Sequence, residues 1–277
     1  MRGFVLIFFL PILGLAQGSQ TASTPIEAFN HYVALYSDVG GNNAADKDLL
    51  PFVDKLSDKR ESFKNDEAFL NYVFVKTHQR FLKHYTDYVS FSAMINKGTY
   101  NCLTATALYA LLLDYFGFEH QVIETNYHIF LMVNTDEGRV LLETTDPMNG
   151  FVDNEKQIEE RINTYRKNNI SETDIDKTYY RFSYDLYREV SPDEMLGLLH
   201  YNLAIVAYND HQFQTSIAQL DRALELYQSP RIEELSRIIL LSVIESKLDA
   251  ASKEDCVRKI QAMRKNKLMV AARATAN

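Results

Sequence analysis

From residue 103 to residue 116 the chain offers a run of helical length in which Asp114 is the only charge. Leu103, Ala105, Ala107, Leu108, Ala110, Leu111, Leu112 and Leu113 cover the whole circumference of such a helix. A helix apolar all round belongs at the centre of a domain. Both ends are marked as well, with Asn101 a natural N-cap and Gly117 a natural residue just past the C-terminus. The residue that opens this helix is Cys102. The unpaired N–H groups of a first helical turn place partial positive charge beside its sulfur, which favours thiolate, the form that attacks a carbonyl carbon. The same N–H groups, that of Cys102 first among them, can hold the oxyanion that forms.

Downstream, residues 119–125, 127–133 and 139–145 have the composition of strands, with residues 134–138 as the turn between the last two. Centring that turn on Asp136 sets His128 opposite Thr144. Asp146 then becomes a diagonal neighbour of His128 on the same face, about 7 Å away between backbones. A carboxylate there would fix the imidazole ring so that its other nitrogen serves Cys102 as general base. Pro147 ends the strand directly after the aspartate.

Three local patterns occur in order: Gly98-Thr99-Tyr100-Asn101-Cys102 before the helix, Tyr127-His128-Ile129-Phe130-Leu131 on a strand, and Glu143-Thr144-Thr145-Asp146-Pro147 closing the next. Together they resemble a transglutaminase-like domain across residues 60–155. The resemblance implies an α+β fold with a papain-type core, a central helix packed on a small antiparallel sheet. It further implies Cys102 as nucleophile, His128 as base and Asp146 as orienter, acting on peptide or protein amides through a thioester. Many members of that superfamily carry an aromatic residue, often Trp, beside the Cys or directly after the His, and this chain has no Trp. The second oxyanion donor is therefore unassigned, with Tyr100 and Asn126 the nearest candidates in sequence. Each residue taken singly has a plainer reading. A Cys followed by leucines is usually a small buried hydrophobe, a lone His is more often bonded to backbone, and Asp146 before Pro147 is an ordinary turn residue. Only the constellation raises them.

No C-x-x-C or H-x-x-x-H spacing is present, and His120 lies eight residues before His128, so no metal site is expected. Glycine is sparse, at 10 residues, and forms no phosphate loop, so no nucleotide or other cofactor is expected either. A formal charge of -8 gives no reason to expect nucleic acid as a partner. Arg2, the apolar residues 4–15 and Ala16-Gln17-Gly18-Ser19 have the parts of a secretory signal. Residues 1–18 are accordingly expected to be removed, leaving a secreted or periplasmic protein without stable membrane insertion. Only Cys102 and Cys256 could form a disulfide, and the charged neighbours Lys253, Glu254, Asp255 and Arg258 suggest a polar helix face for the latter rather than a bridge.

Helices are expected over residues 25–37, 50–56 (with Pro51 in the first turn), 66–85 and 154–167, a loop over 168–176 and a further strand over 179–184. The aromatics Phe74, Phe81, Tyr85, Tyr88 and Phe91 read as core, with a peptide groove as the functional alternative. After Ser191-Pro192-Asp193-Glu194 everything reads as helical. Leu203-Ala204, Ala207, Phe213, Ser216-Ile217, Leu220 and Ala223-Leu224 resemble one tetratricopeptide helix pair, with further helices over 232–248 and 254–269. The expected domains are thus 20–186, transglutaminase-like, and 190–277, a helical repeat-like segment that is either a cap or a protein-docking surface. Two classes of function follow: an exported thiol enzyme, a hydrolase or acyltransferase, or a catalytically inactive scaffold that binds proteins in the same cleft.

Overall fold

The computed structural model describes residues 24–39, 46–166 and 186–274, and its fold class is α+β. The expected signal segment 1–18, the loop 168–176 and the strand 179–184 lie outside the described residues. Among the described residues no helix is long and apolar enough to cross a membrane.

Helix α1 (Pro25–Asp38) begins on a capping box in which Thr24 and Glu27 satisfy each other's backbone N–H groups. Helix α2 (Asp46–Ser57) starts earlier than its sequence pattern suggests, which puts Pro51 inside it. Helix α3 (Asp66–Phe81) stops four residues before the expected end, because the chain leaves it as a short strand, β1 (His84–Tyr85). Helix α4 (Phe91–Lys97), too short to show a periodicity, ends on Gly98 at φ 74°, a left-handed position suited to glycine. Strand β2 (Thr99–Tyr100) then pairs parallel with β1, setting Tyr85 beside Tyr100 immediately before the central helix.

That helix, α5 (Cys102–Phe116), has the expected bounds. Asn101 Oδ1 accepts from the Thr104 N–H at 2.9 Å, and Thr104 Oγ1 accepts from the Asn101 N–H at 3.1 Å. At the other end Gly117 caps at φ 73°. Leu103, Ala105, Ala107, Leu108, Leu111, Leu112 and Leu113 are all buried, as a helix without a polar face requires.

The main sheet is antiparallel throughout. It is built from β3 (His120–Thr125), β4 (Ile129–Thr135), β5 (Gly138–Leu142), β6 (Phe151–Val152) and, after helix α6 (Glu155–Arg166), β7 (Tyr187–Glu189). Its order is β6-β5-β4-β3-β7. Alternation along the strands sends Val122, Ile129, Leu131, Val133, Val140 and Leu142 into the core around α5. The opposite face, with Ile123, Phe130, Met132 and Leu141, is covered by Ile158 and Ile162 of α6.

The C-terminal helices are α7 (Pro192–Asn209), α8 (Phe213–Leu226), α9 (Pro230–Glu245) and α10 (Ala250–Ala274). Ser191 and Glu194 form the capping box that starts α7. Small residues let α7 and α8 approach closely, and Ser216 Oγ donates to the Ala204 carbonyl at 2.7 Å. These helices share one continuous buried cluster with the sheet and α5, from Phe29 to Met263. Tyr36 extends that contact by donating to the Pro192 carbonyl at 2.9 Å. Cys102 and Cys256 are both free thiols. Contrary to the sequence expectation, Cys256 is fully buried rather than on a polar face. Cys256, Ile260 and Met263 repeat at helical spacing and turn inward together, while Asp255 and Arg258 stay at the surface.

Candidate functional site

Cys102 and Leu103 occupy the first two positions of α5, and Thr104 the third. First-turn N–H groups have no acceptor within their own helix. Asn101 takes the one at Thr104, which leaves those of Cys102 and Leu103 as the donors beside the sulfur.

His128 sits at the end of the tight link between β3 and β4. Thr125 holds that link from both sides: its Oγ1 accepts from the His128 N–H at 3.1 Å and donates to the His128 carbonyl at 3.1 Å. The imidazole lies beside the Cys102 side chain, close enough for the sulfur to act on its protonation, and both line the same cleft. Its Nε2 is hydrogen-bonded to Glu143 Oε2, which leaves Nδ1 for the sulfur. Phe130 stacks on the ring at 6.3 Å between centroids, and Tyr165 of α6 lies at 4.8 Å, so the plane of the ring is set by apolar contact as well.

Glu143 is buried, and each of its oxygens is used. Oε2 also accepts from Tyr165 Oη at 2.7 Å, and Oε1 accepts from the Thr145 N–H at 3.1 Å and the Thr145 hydroxyl at 2.6 Å. Burial alone would raise its pKa, but the bond to His128 and that ring's charge, with help from Thr145 and Tyr165, hold it down at about 2. Burial alone would likewise lower the pKa of His128. Hydrogen bonds to Cys102 and Glu143, and the charges of both, outweigh it and lift the ring from 6.5 to about 10. The arrangement therefore favours a charged imidazole against the Glu143 carboxylate.

The sequence expectation placed Asp146 where Glu143 stands, and the hairpin register explains the correction. Pairing runs Thr135↔Gly138, Asn134↔Arg139 and on to Leu131↔Leu142, a two-residue turn through Asp136 and Glu137 instead of one centred on Asp136. A slip of one residue carries every side chain to the other face. In the observed register His128 would face Thr145, and the residue diagonal to it on the same face is Glu143. The chain then reverses: the Glu143 N–H donates to the Gly150 carbonyl at 2.7 Å as β6 begins. Asp146 lies on this reversal, where its Oδ1 accepts from the N–H groups of Met148 at 3.2 Å and Asn149 at 2.9 Å. Its other oxygen is 3.8 Å from Arg161. Asp146 is a turn residue here, and it does not meet His128.

Cys102 and His128 open into a cleft of about 780 Å³. One wall is Tyr85, Asp87, Tyr88 and the residues 124–129. The other comes from α7 and α9, through Leu198, Tyr201, Asn202, Ile205, Leu235 and Ile238. The aromatic group read as core divides: Phe74, Phe81 and Phe91 are buried, while Tyr85 and Tyr88 are exposed and line the cleft. Burial first, then the charge of Cys102, push the Tyr85 hydroxyl up to about 12, which marks its nearness to the sulfur. Of the two candidate oxyanion donors, Asn126 lines the cleft and accepts from the Leu186 N–H at 2.8 Å, whereas Tyr100 is buried against Tyr85. His120 is turned elsewhere, with Nδ1 3.0 Å from the Phe118 carbonyl.

The two walls are fastened by a polar network. Arg231 donates to the carbonyls of Thr125 and Asn126 at 2.6 Å each and lies 3.3 Å from Glu124. Tyr227 donates to the same buried Glu124 carboxylate, at 2.7 and 2.8 Å. No known family's model, no curated protein and no solved structure matches this chain. Sequence reasoning missed Glu143, Tyr165, Asn202 and Arg231, and it read Tyr85 as core with a groove as the alternative. Glu143 was legible in the motif that ends at Pro147, and the register alone hid its role. Tyr165, Asn202 and Arg231 reach the site from three separate helices, α6, α7 and α9.

Proposed function

We propose that the chain is a thiol enzyme of transglutaminase-like type, with a papain-like core, that acts on peptide or protein amides through a thioester on Cys102. One observation carries this reading: the sulfur at the start of a buried helix, the His128 imidazole in contact with it and the Glu143 carboxylate on the ring's far nitrogen, all at one open cleft. A structural Cys or His needs none of this alignment.

The Cys102 thiolate attacks the amide carbonyl carbon, and the oxyanion is held by the first-turn N–H groups of α5. The imidazolium proton of His128 passes to the leaving nitrogen, the C–N bond breaks, and a thioester remains. Neutral His128 then takes a proton from water or an incoming amine, which attacks the thioester carbon and releases the sulfur as thiolate. Water gives hydrolysis and an amine gives acyl transfer. Glu143 holds the ring and stabilises its cationic form throughout.

Iodoacetamide alkylation at pH 6, followed at Cys102 by mass spectrometry, tests the assignment. Cys102 should react at least about tenfold faster than free cysteine, with the excess lost in His128→Ala. A peptide mixture incubated with the protein and a biotinylated alkylamine should then yield cleaved or biotin-bearing products that Cys102→Ala does not form. A wild-type Cys102 no more reactive than free cysteine would overturn the reading.

A further inference from the structure

Asn202 lies in the middle of α7, a hundred residues beyond Cys102, and both its polar groups are committed across the interface between the C-terminal helices and the α5 region. Its Oδ1 accepts from Asn101 Nδ2 at 3.1 Å, and its Nδ2 donates to the Val89 carbonyl at 2.8 Å. Asn202 and Asn101 are both buried, at 5% and 3% exposure, and both line the cleft that holds Cys102.

Asn101 is the N-cap of the helix that presents the sulfur. Its amide can cap only if the oxygen points at Thr104, and oxygen and nitrogen are interchangeable in shape. Two acceptors decide the orientation: the Asp87 carbonyl at 2.9 Å and Asn202 Oδ1 take the two Nδ2 hydrogens. Oδ1 is thereby aimed at Thr104, whose N–H and hydroxyl both donate to it. Val89, held by the other end of Asn202, belongs to the segment after Asp87 and Tyr88, so one side chain ties the cap and a wall of the cleft to the same point. Arg231 of α9 likewise holds the carbonyls of Thr125 and Asn126 ahead of His128.

We infer that Asn202 is a positioning residue for Cys102, acting through the amide orientation of Asn101, and that the C-terminal helices are a working part of the active site rather than an attached docking module. This rests on the reading of Cys102 as nucleophile. Truncating Asn202 leaves one Asn101 hydrogen without an acceptor in a buried setting, which frees the amide to turn and loosens the first turn of α5. Misplacing a reacting atom by about 1 Å is enough to cost a large factor in rate.

The test uses the full chain and iodoacetamide, with the Cys102 alkylation rate measured as a function of pH. Asn202→Ala should slow alkylation at neutral pH by about tenfold and move the rise in rate to higher pH. Ser216→Ala, which removes another buried bond of α7 away from the site, serves as a matched control. It should lower the thermal midpoint while leaving the alkylation rate within about twofold of wild type. In an Asn101→Ser background, where a hydroxyl caps without a fixed amide orientation, adding Asn202→Ala should change the rate by less than about twofold, the non-additivity expected of residues that act through each other. Asn202→Ser, too short to reach Asn101, gives the same reading if the alanine variant does not fold. An enhanced wild-type thiol that Asn202→Ala leaves unchanged, equal slowing by Ser216→Ala, or additive effects in the double variant would each overturn this inference alone. A wild-type thiol without enhancement would overturn it together with the function proposed above.

Discussion

The pairing of His128 with Glu143 instead of Asp146 can be weighed quantitatively. Glu143→Gln keeps the shape of the side chain and removes its charge. An opposite charge in contact moves a pKa by about 1–3 pH units, and each unit is worth about 1.4 kcal/mol. With burial still pressing the ring down and only the Cys102 contact opposing it, the His128 pKa should fall from about 10 by that amount. The stabilisation of the charged ring then weakens by about 1.4–4 kcal/mol. The amide also meets donors it cannot all accept, since His128, Tyr165 and Thr145 all point at the carboxylate. Titration of the His128 ring followed by NMR should show the shift, and Cys102 alkylation at pH 6 should slow by at least about tenfold. Asp146→Asn is the comparison, because that carboxylate accepts from the turn at Met148 and Asn149 and lies near Arg161, with no hydrogen bond to His128 among the described residues. It should change the alkylation rate by less than about twofold. A ring unmoved by Glu143→Gln, or moved as far by Asp146→Asn, would refute the reasoning.

The same pair makes stability depend on pH in a definite sense. His128 has its pKa raised from 6.5, so its contribution is complete below 6.5 and is lost as pH climbs through about 10. Glu143 has its pKa lowered from 4.5, so its contribution is complete above 4.5 and is lost as pH falls through about 2. The difference in urea midpoint between wild type and His128→Ala should therefore be largest between pH 4.5 and 6.5, and a maximum above pH 9 would contradict the assignment. Gly150→Ala probes the reversal that sets Glu143. A Cβ there would collide with the carbonyl oxygens of Glu143 and Asp146, both backbone atoms, so about 3 kcal/mol of stability and the alkylation enhancement should be lost together. Gly117→Ala meets no atom within 4 Å and should cost only the left-handed strain, about 1–2 kcal/mol, with reactivity retained, as a urea titration run beside the alkylation assay would show.

Much of the architecture was legible because it is local. The bounds of α5 follow from an unbroken apolar surface between Asn101 and Gly117, and the start of α7 follows from Ser191-Pro192-Asp193-Glu194. Cys102 and His128 were readable for the same reason, one at a helix start and the other at the head of a strand. The position of Cys256 was misjudged because its charged neighbours in sequence are not its neighbours on the helix face.

What the order of residues determined, then, is which segments fold into helix or strand and that a cysteine opens the most buried of them, since caps and periodicity act over a few residues. The tertiary structure alone decided which carboxylate meets His128, because a one-residue difference in the turn exchanges the two faces of a strand. It alone also brought Asn202 and Arg231 to the cleft from more than a hundred residues away. No spacing along the chain encodes such a meeting, which depends on how α7 and α9 dock against the sheet and α5.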